Sequence, residues 1–100
     1  MPRINEIIHH SLGQKEAKER IAQLIPCLKT THGEIIRHVS EYWQGNTNFF
    51  SFQAMGFSVS GSIRVTDSAV EITGKIPFAA GLFKGRIIDA IHIEGTKLLL

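Results

Sequence analysis

Two alternating segments joined by a three-residue turn, from Phe57 to Ile76, leave this chain few folds to choose from. Phe57, Val59, Gly61, Ile63 and Val65 alternate with Ser58, Ser60, Ser62 and Arg64. Past Thr66-Asp67-Ser68, Val70, Ile72, Gly74 and Ile76 alternate with Ala69, Glu71, Thr73 and Lys75. Successive side chains on a strand point to opposite faces, so each segment has one apolar and one wet side. The three residues between them have short polar side chains that bond nearby backbone, which favours a turn. The pair therefore reads as an antiparallel hairpin that needs a cover on its apolar side.

The remaining segments supply the cover and the rest of the sheet. Arg3 to His9 reads as a short strand whose adjacent Ile7 and Ile8 break the alternation, which predicts a strand edge or a bulge. Ser11 and Gln14 form a capping-box pattern for a helix. That helix carries Ala17, Ile21, Leu24 and Leu28 on one stripe, with Lys15, Glu16, Lys18, Glu19 and Arg20 opposite. Pro26 is expected to kink or end it near Ile25. Glu34 to Trp43 reads as a strand in which neither parity is wholly apolar. Gln44-Gly45-Asn46 is turn chemistry, and Asn48 to Ala54 is a further strand with Phe50, Phe52 and Ala54 on one parity. Met55-Gly56 then turns into the central hairpin. Pro77 ends the last strand. A helix from about Phe83 to Leu99 follows, with Ile87, Ile88, Ile91, Gly95 and Leu98 as its stripe and Glu94 mainly elsewhere. The predicted order is β-α-β-β-β-β-α: one α+β domain over residues 1–100, an antiparallel sheet of about five strands with two helices covering one face.

Composition and motifs narrow the function by exclusion. Hydrophobic residues make up 43% and charged residues 20%, which is globular composition. The net charge is +2 and no single element carries a basic stripe, so no nucleic-acid partner is expected. Cys27 is the only cysteine, which forbids an internal disulfide and suits a reducing compartment. No run is apolar enough for a signal peptide or a membrane span, so a cytoplasmic protein is expected. The histidines His9, His10, His32, His38 and His92 show no ligand spacing, so no metal is expected. Cys27 is expected to be a buried, inert thiol. No nucleophile elbow, carboxylate pair or phosphate loop is present, so neither catalysis nor a cofactor is expected.

Four groups of residues resemble a known family. Ile8-His9-His10-Ser11-Leu12 with Glu16-Ala17-Lys18 is similar to the opening motif of the polyhydroxyalkanoic acid system (granule-region) proteins. Trp43-Gln44-Gly45-Asn46, Gly61-Ser62-Ile63 and Phe83-Lys84-Gly85-Arg86-Ile87 resemble its later landmarks, in the same order. The resemblance implies a small bacterial protein associated with storage polyester and brings no catalytic residues with it. The pattern of elements is also similar to a shortened helix-grip fold, whose members hold apolar ligands under the C-terminal helix.

Two functional expectations follow. In the first, a non-enzymatic accessory protein contacts a polyester granule surface or a granule-coat protein. Its contact would be the apolar connector from Phe78 to Phe83, through Phe78, Leu82 and Phe83, supported by Lys84 and Arg86. In the second, Trp43, Phe50, Phe52, Ile72 and Ile91 line a cavity between sheet and C-terminal helix that holds a small acyl or lipid-like ligand. A homo-oligomer paired through the first strand is a further possibility.

Overall fold

The computed structural model describes residues 3–77, 81 and 83–100. Strands β1 (Arg3–His9), β2 (Ile36–Gln44), β3 (Thr47–Ala54), β4 (Phe57–Val65) and β5 (Ala69–Lys75) form one antiparallel sheet in the order β1-β5-β4-β3-β2. Helices α1 (Gln14–Ile21), α2 (Leu24–Thr31) and α3 (Lys84–Leu99) complete the fold. The alternation of β4 and β5 becomes the floor of the core. Val59, Ile63, Val65, Val70 and Ile72 are buried against Ile21, Leu24 and Leu28 of α1 and α2 and Ile87 and Ile91 of α3.

Gly61 faces Gly74 across the hairpin. A Cβ on Gly61 would fall 2.6 Å from the Gly74 Cα and run into the Thr73 carbonyl, so the strands approach there as only two glycines permit.

β1 lies at the sheet edge and pairs with β5 in continuous register from Arg3↔Lys75 to His9↔Ala69. It contains no bulge. Ile8 enters the core while Ile7, 53% exposed, sits on the open face. The bulge is in β2, where the register with β3 shifts between Arg37 and Ser40 and His38 takes a φ of 55°. The extra residue exchanges the faces. Ile36 points inward before it, and Val39, Glu41 and Trp43 are the inward residues after it. This is why neither parity of the segment is apolar throughout.

The first helix departs from expectation at both ends. α1 starts at Gln14 after Gly13, so Ser11 is not its cap and no capping box forms. Its first turn is capped from another part of the chain. Asp67, in the β4–β5 turn, accepts the Gln14 N–H at 3.2 Å, and Gln14 Nε2 donates to the Val65 carbonyl at 3.0 Å. The helix breaks at Ala22-Gln23, before Pro26 rather than at Ile25. Pro26 falls in the first turn of α2, where its missing N–H leaves no bond unmade, and its ring excludes the continuous helix that would need the Ala22 carbonyl.

α3 also carries a correction. Glu94 is buried, 7% exposed, on the face that holds Ile87, Ile91 and Leu99. Its Oε2 accepts from the Cys27 thiol at 3.4 Å and its Oε1 lies 3.7 Å from Lys97 Nζ. Cys27 is accordingly partly exposed and hydrogen-bonded instead of fully buried in the core. Gly95 lies close to the sheet: a Cβ there would meet Ile8 Cδ1 at 2.9 Å.

Candidate functional site

The turn from β3 to β4 sets one end of the molecule. Met55 and Gly56 both take positive φ, 54° and 83°, the conformation that closes a two-residue hairpin with the right twist. The Met55 N–H donates to the Ile35 carbonyl, which draws the loop before β2 onto this turn. The first two turns of α3 cross above it. Between them lies an apolar groove of about 270 Å³. Phe52, Ala54, Ile87 and Ile91 line its interior, and Ile35 and Met55 its half-buried wall. Ile93, 51% exposed, forms the rim with Arg86, Asp89 and His32.

Of the five cavity candidates, the structure brings Phe52 and Ile91 together in this groove. Phe50 and Ile72 are in the closed core. Trp43 stands at the other end of β2, where Lys18 Nζ lies 5.2 Å from its ring centroid and donates to the Gly45 carbonyl at 2.7 Å. Of the five surface-contact candidates, Phe78 and Leu82 lie outside the described residues. Phe83 is half-buried with its ring 6.2 Å from that of Phe57, Lys84 is half-buried, and Arg86 is exposed at the groove. Sequence reasoning missed Ile35, Met55 and Ile93. The first two come from turns, and Ile93 lies off the main stripe of α3, so no periodicity marks them.

The residues of the opening motif gather at the end away from the groove. His10 Nε2 is 3.2 Å from the Thr66 carbonyl, its Nδ1 accepts the Leu12 N–H, and the Val65 N–H donates to the Asn46 carbonyl. The β1–α1 junction, the β2–β3 turn and the β4–β5 turn are thus laced together. Beside them, Asn48 is fully buried and donates from Nδ2 to Glu41 Oε1 at 2.7 Å. These contacts brace the fold. The described residues contain no group of three or more histidine, cysteine or acidic side chains placed to hold a metal ion. No helix among them is long and apolar enough to cross a membrane.

Comparison with known proteins places the chain at the level of family. No curated protein matches it. Among solved structures it is similar to the crystal structure of TTHA0849 from Thermus thermophilus, with 14% identity and a TM-score of 0.43, covering 98% of this chain and 92% of that one. A family model described as "Putative polyhydroxyalkanoic acid system protein" matches residues 4–99. That span takes in the His10 clasp, the Trp43–Asn46 turn and the α3 segment over the groove, and it places this chain in the polyhydroxyalkanoic acid system protein family.

Proposed function

We propose that this chain is a non-enzymatic, cytoplasmic accessory protein of polyester storage that contacts hydrophobic polyester, at the granule surface or in its coat, through the end bearing the groove. The observation that carries the reading is the apolar groove itself, open beneath α3 and rimmed by the half-exposed Ile93. Among the other described residues, the large exposed aliphatic side chains, Ile7 and Leu100, stand singly, and single ones are ordinary on a soluble surface. Arg86 at the rim, with Lys84 behind it, adds attraction to any surface bearing carboxylate chain ends.

The groove is also a candidate for holding a free acyl ligand. It is open to solvent along the rim at Ile93, whereas sites that retain small molecules bury most of the ligand's surface, which favours gripping a segment of a larger surface over retaining a ligand. Co-sedimentation with protein-stripped and protein-coated granules tests the choice. The expected result is binding to stripped granules that falls at least about tenfold in Ile93→Asp, a change of about 1.4 kcal/mol, with the variant's thermal unfolding unchanged. Binding to coated granules alone would assign the contact to a coat protein. Absence of binding to either, with a fatty acyl compound retained in native mass spectra, would establish the ligand-carrying alternative.

A further inference from the structure

The face of the sheet turned away from the helices takes no part in the groove, and we propose that it binds single-stranded nucleic acid. The observation is a stacked, solvent-facing aromatic pair set beside an array of cations and hydroxyls contributed by all five strands.

The register places these side chains in rows across the sheet. Tyr42 pairs with Phe49, Phe49 with Ser62, Ser62 with Thr73, and Thr73 with Asn5. The next row runs Ser40, Ser51, Ser60, Lys75, Arg3 by the same pairings. Between the two rows lies a shallow depression bordered by Phe49, Ser60, Ser62, Thr73, Lys75 and Arg3, with the backbone of Gly61 and Gly74 as its floor. Tyr42, 61% exposed, stacks on Phe49 with ring centroids 5.2 Å apart and offers its other face to solvent.

Charge is segregated onto this face. Arg3, Arg37, Arg64 and Lys75 project from it, one from each of four strands, against the single carboxylate of Glu71, which pairs with Arg64 at 3.3 Å. The other eight of the nine acidic residues lie on the helix side, in turns or on the helices. Arg3, Arg37 and Lys75 make no ion pair among the described residues. Because each cation comes from a different strand, no element of the sequence reads as basic, which is why composition led to the opposite expectation. Stacked aromatics beside a cationic track are what unstacked bases and their phosphates require, and hydroxyls add donors to phosphate and sugar oxygens. An anionic membrane fits less well, since the one aliphatic side chain exposed on this face is Ile7 at its far edge.

Fluorescence anisotropy of a labelled uridine-rich oligonucleotide of about 10 nucleotides, within the usual footprint of a single-strand site, tests the proposal on the full chain. Affinity should fall roughly 20- to 50-fold between about 50 and 200 mM salt, as three or four phosphate contacts on a single strand dictate. Tyr42→Ala should weaken binding about fivefold or more through loss of base stacking. Arg3→Ala with Lys75→Ala should flatten the salt dependence, while all these variants keep the wild-type unfolding temperature. The proposal is overturned if the oligonucleotide does not bind at low salt. It is equally overturned if Tyr42→Ala binds as wild type does, or if polyphosphate, which has no bases, competes as well as the unlabelled oligonucleotide. Granule co-sedimentation should be indifferent to these substitutions.

Discussion

Gly61 and Gly95 both lie where backbone and neighbour come too close for a side chain, yet they differ in what a methyl group would strike. At Gly61 the obstacle is the backbone of β5, the Thr73 carbonyl and Gly74 Cα, which cannot yield without parting the strands. Gly61→Ala is therefore expected to cost about 3 kcal/mol or more, among the large values for a single substitution. At Gly95 the obstacle is the end of the Ile8 side chain, which has other rotamers. The gain of roughly 1 kcal/mol in helix propensity should offset most of that strain, so Gly95→Ala should leave stability within about 1 kcal/mol of wild type. Urea unfolding of the two variants checks the contrast. If both lose stability equally, the difference between a backbone and a side-chain obstacle is not what decides these sites. From sequence, both glycines are visible as interruptions on an apolar face, but what lies opposite each is a property of the folded pairings.

Among the elements, those whose period is uniform were readable and those with a mid-element event were not. The β4–β5 hairpin follows from alternation alone, the inward placing of Phe52 from the parity of β3, and that of Ile91 from the apolar stripe of α3. β2 was not readable because its bulge swaps inward parity between Ile36 and Val39, and the swap has no composition signature. The start of α1 was misplaced for a related reason: Asp67, some fifty residues along the chain, does what a local cap would do. Removing it tests that account. Asp67→Ala should destabilise by about 1 kcal/mol, the usual worth of an N-terminal cap, or several degrees in Tm for a domain of this size. Asp67→Asn, which keeps the acceptor oxygen, should recover most of the loss. If Asn is as harmful as Ala, charge rather than the hydrogen bond sustains the contact. The groove was legible only in part, since Ile35 and Met55 reach it from turns whose positions depend on strand lengths.

At the scale of the whole molecule, an open five-stranded sheet leaves β1 and β2 as free edges, and an unprotected edge invites pairing with a second copy. The bulge disrupts β2, whereas β1 is regular along its length. The His10 N–H donates to the Ser68 carbonyl in the same register as β1 with β5. Hydrogen-bonded pairs alternate along an antiparallel ladder, so Ile4, Glu6 and Ile8 bond toward β5 and the backbone groups of Arg3, Asn5, Ile7 and His9 point outward. A two-fold pairing of β1 with its copy that uses all four sets Arg3 against His9, Asn5 against Ile7, and Glu6 against Glu6. Glu6 points to the helix side, where its Oε1 is 3.8 Å from His92 Nδ1. Two such carboxylates would meet directly across the axis, an arrangement that disfavours pairing. An inward-pointing charge at the centre of the edge strand is a known way of keeping an edge unpaired. Glu6→Ile should therefore convert a monomer into a dimer or larger aggregate, measured by light scattering coupled to size exclusion, while retaining the same circular dichroism. Glu6→Lys, which keeps a like charge at the axis, should remain monomeric. A monomeric Glu6→Ile would mean that something other than this charge holds the edge free, and a wild-type dimer would mean that β1 pairs in another register or not at all.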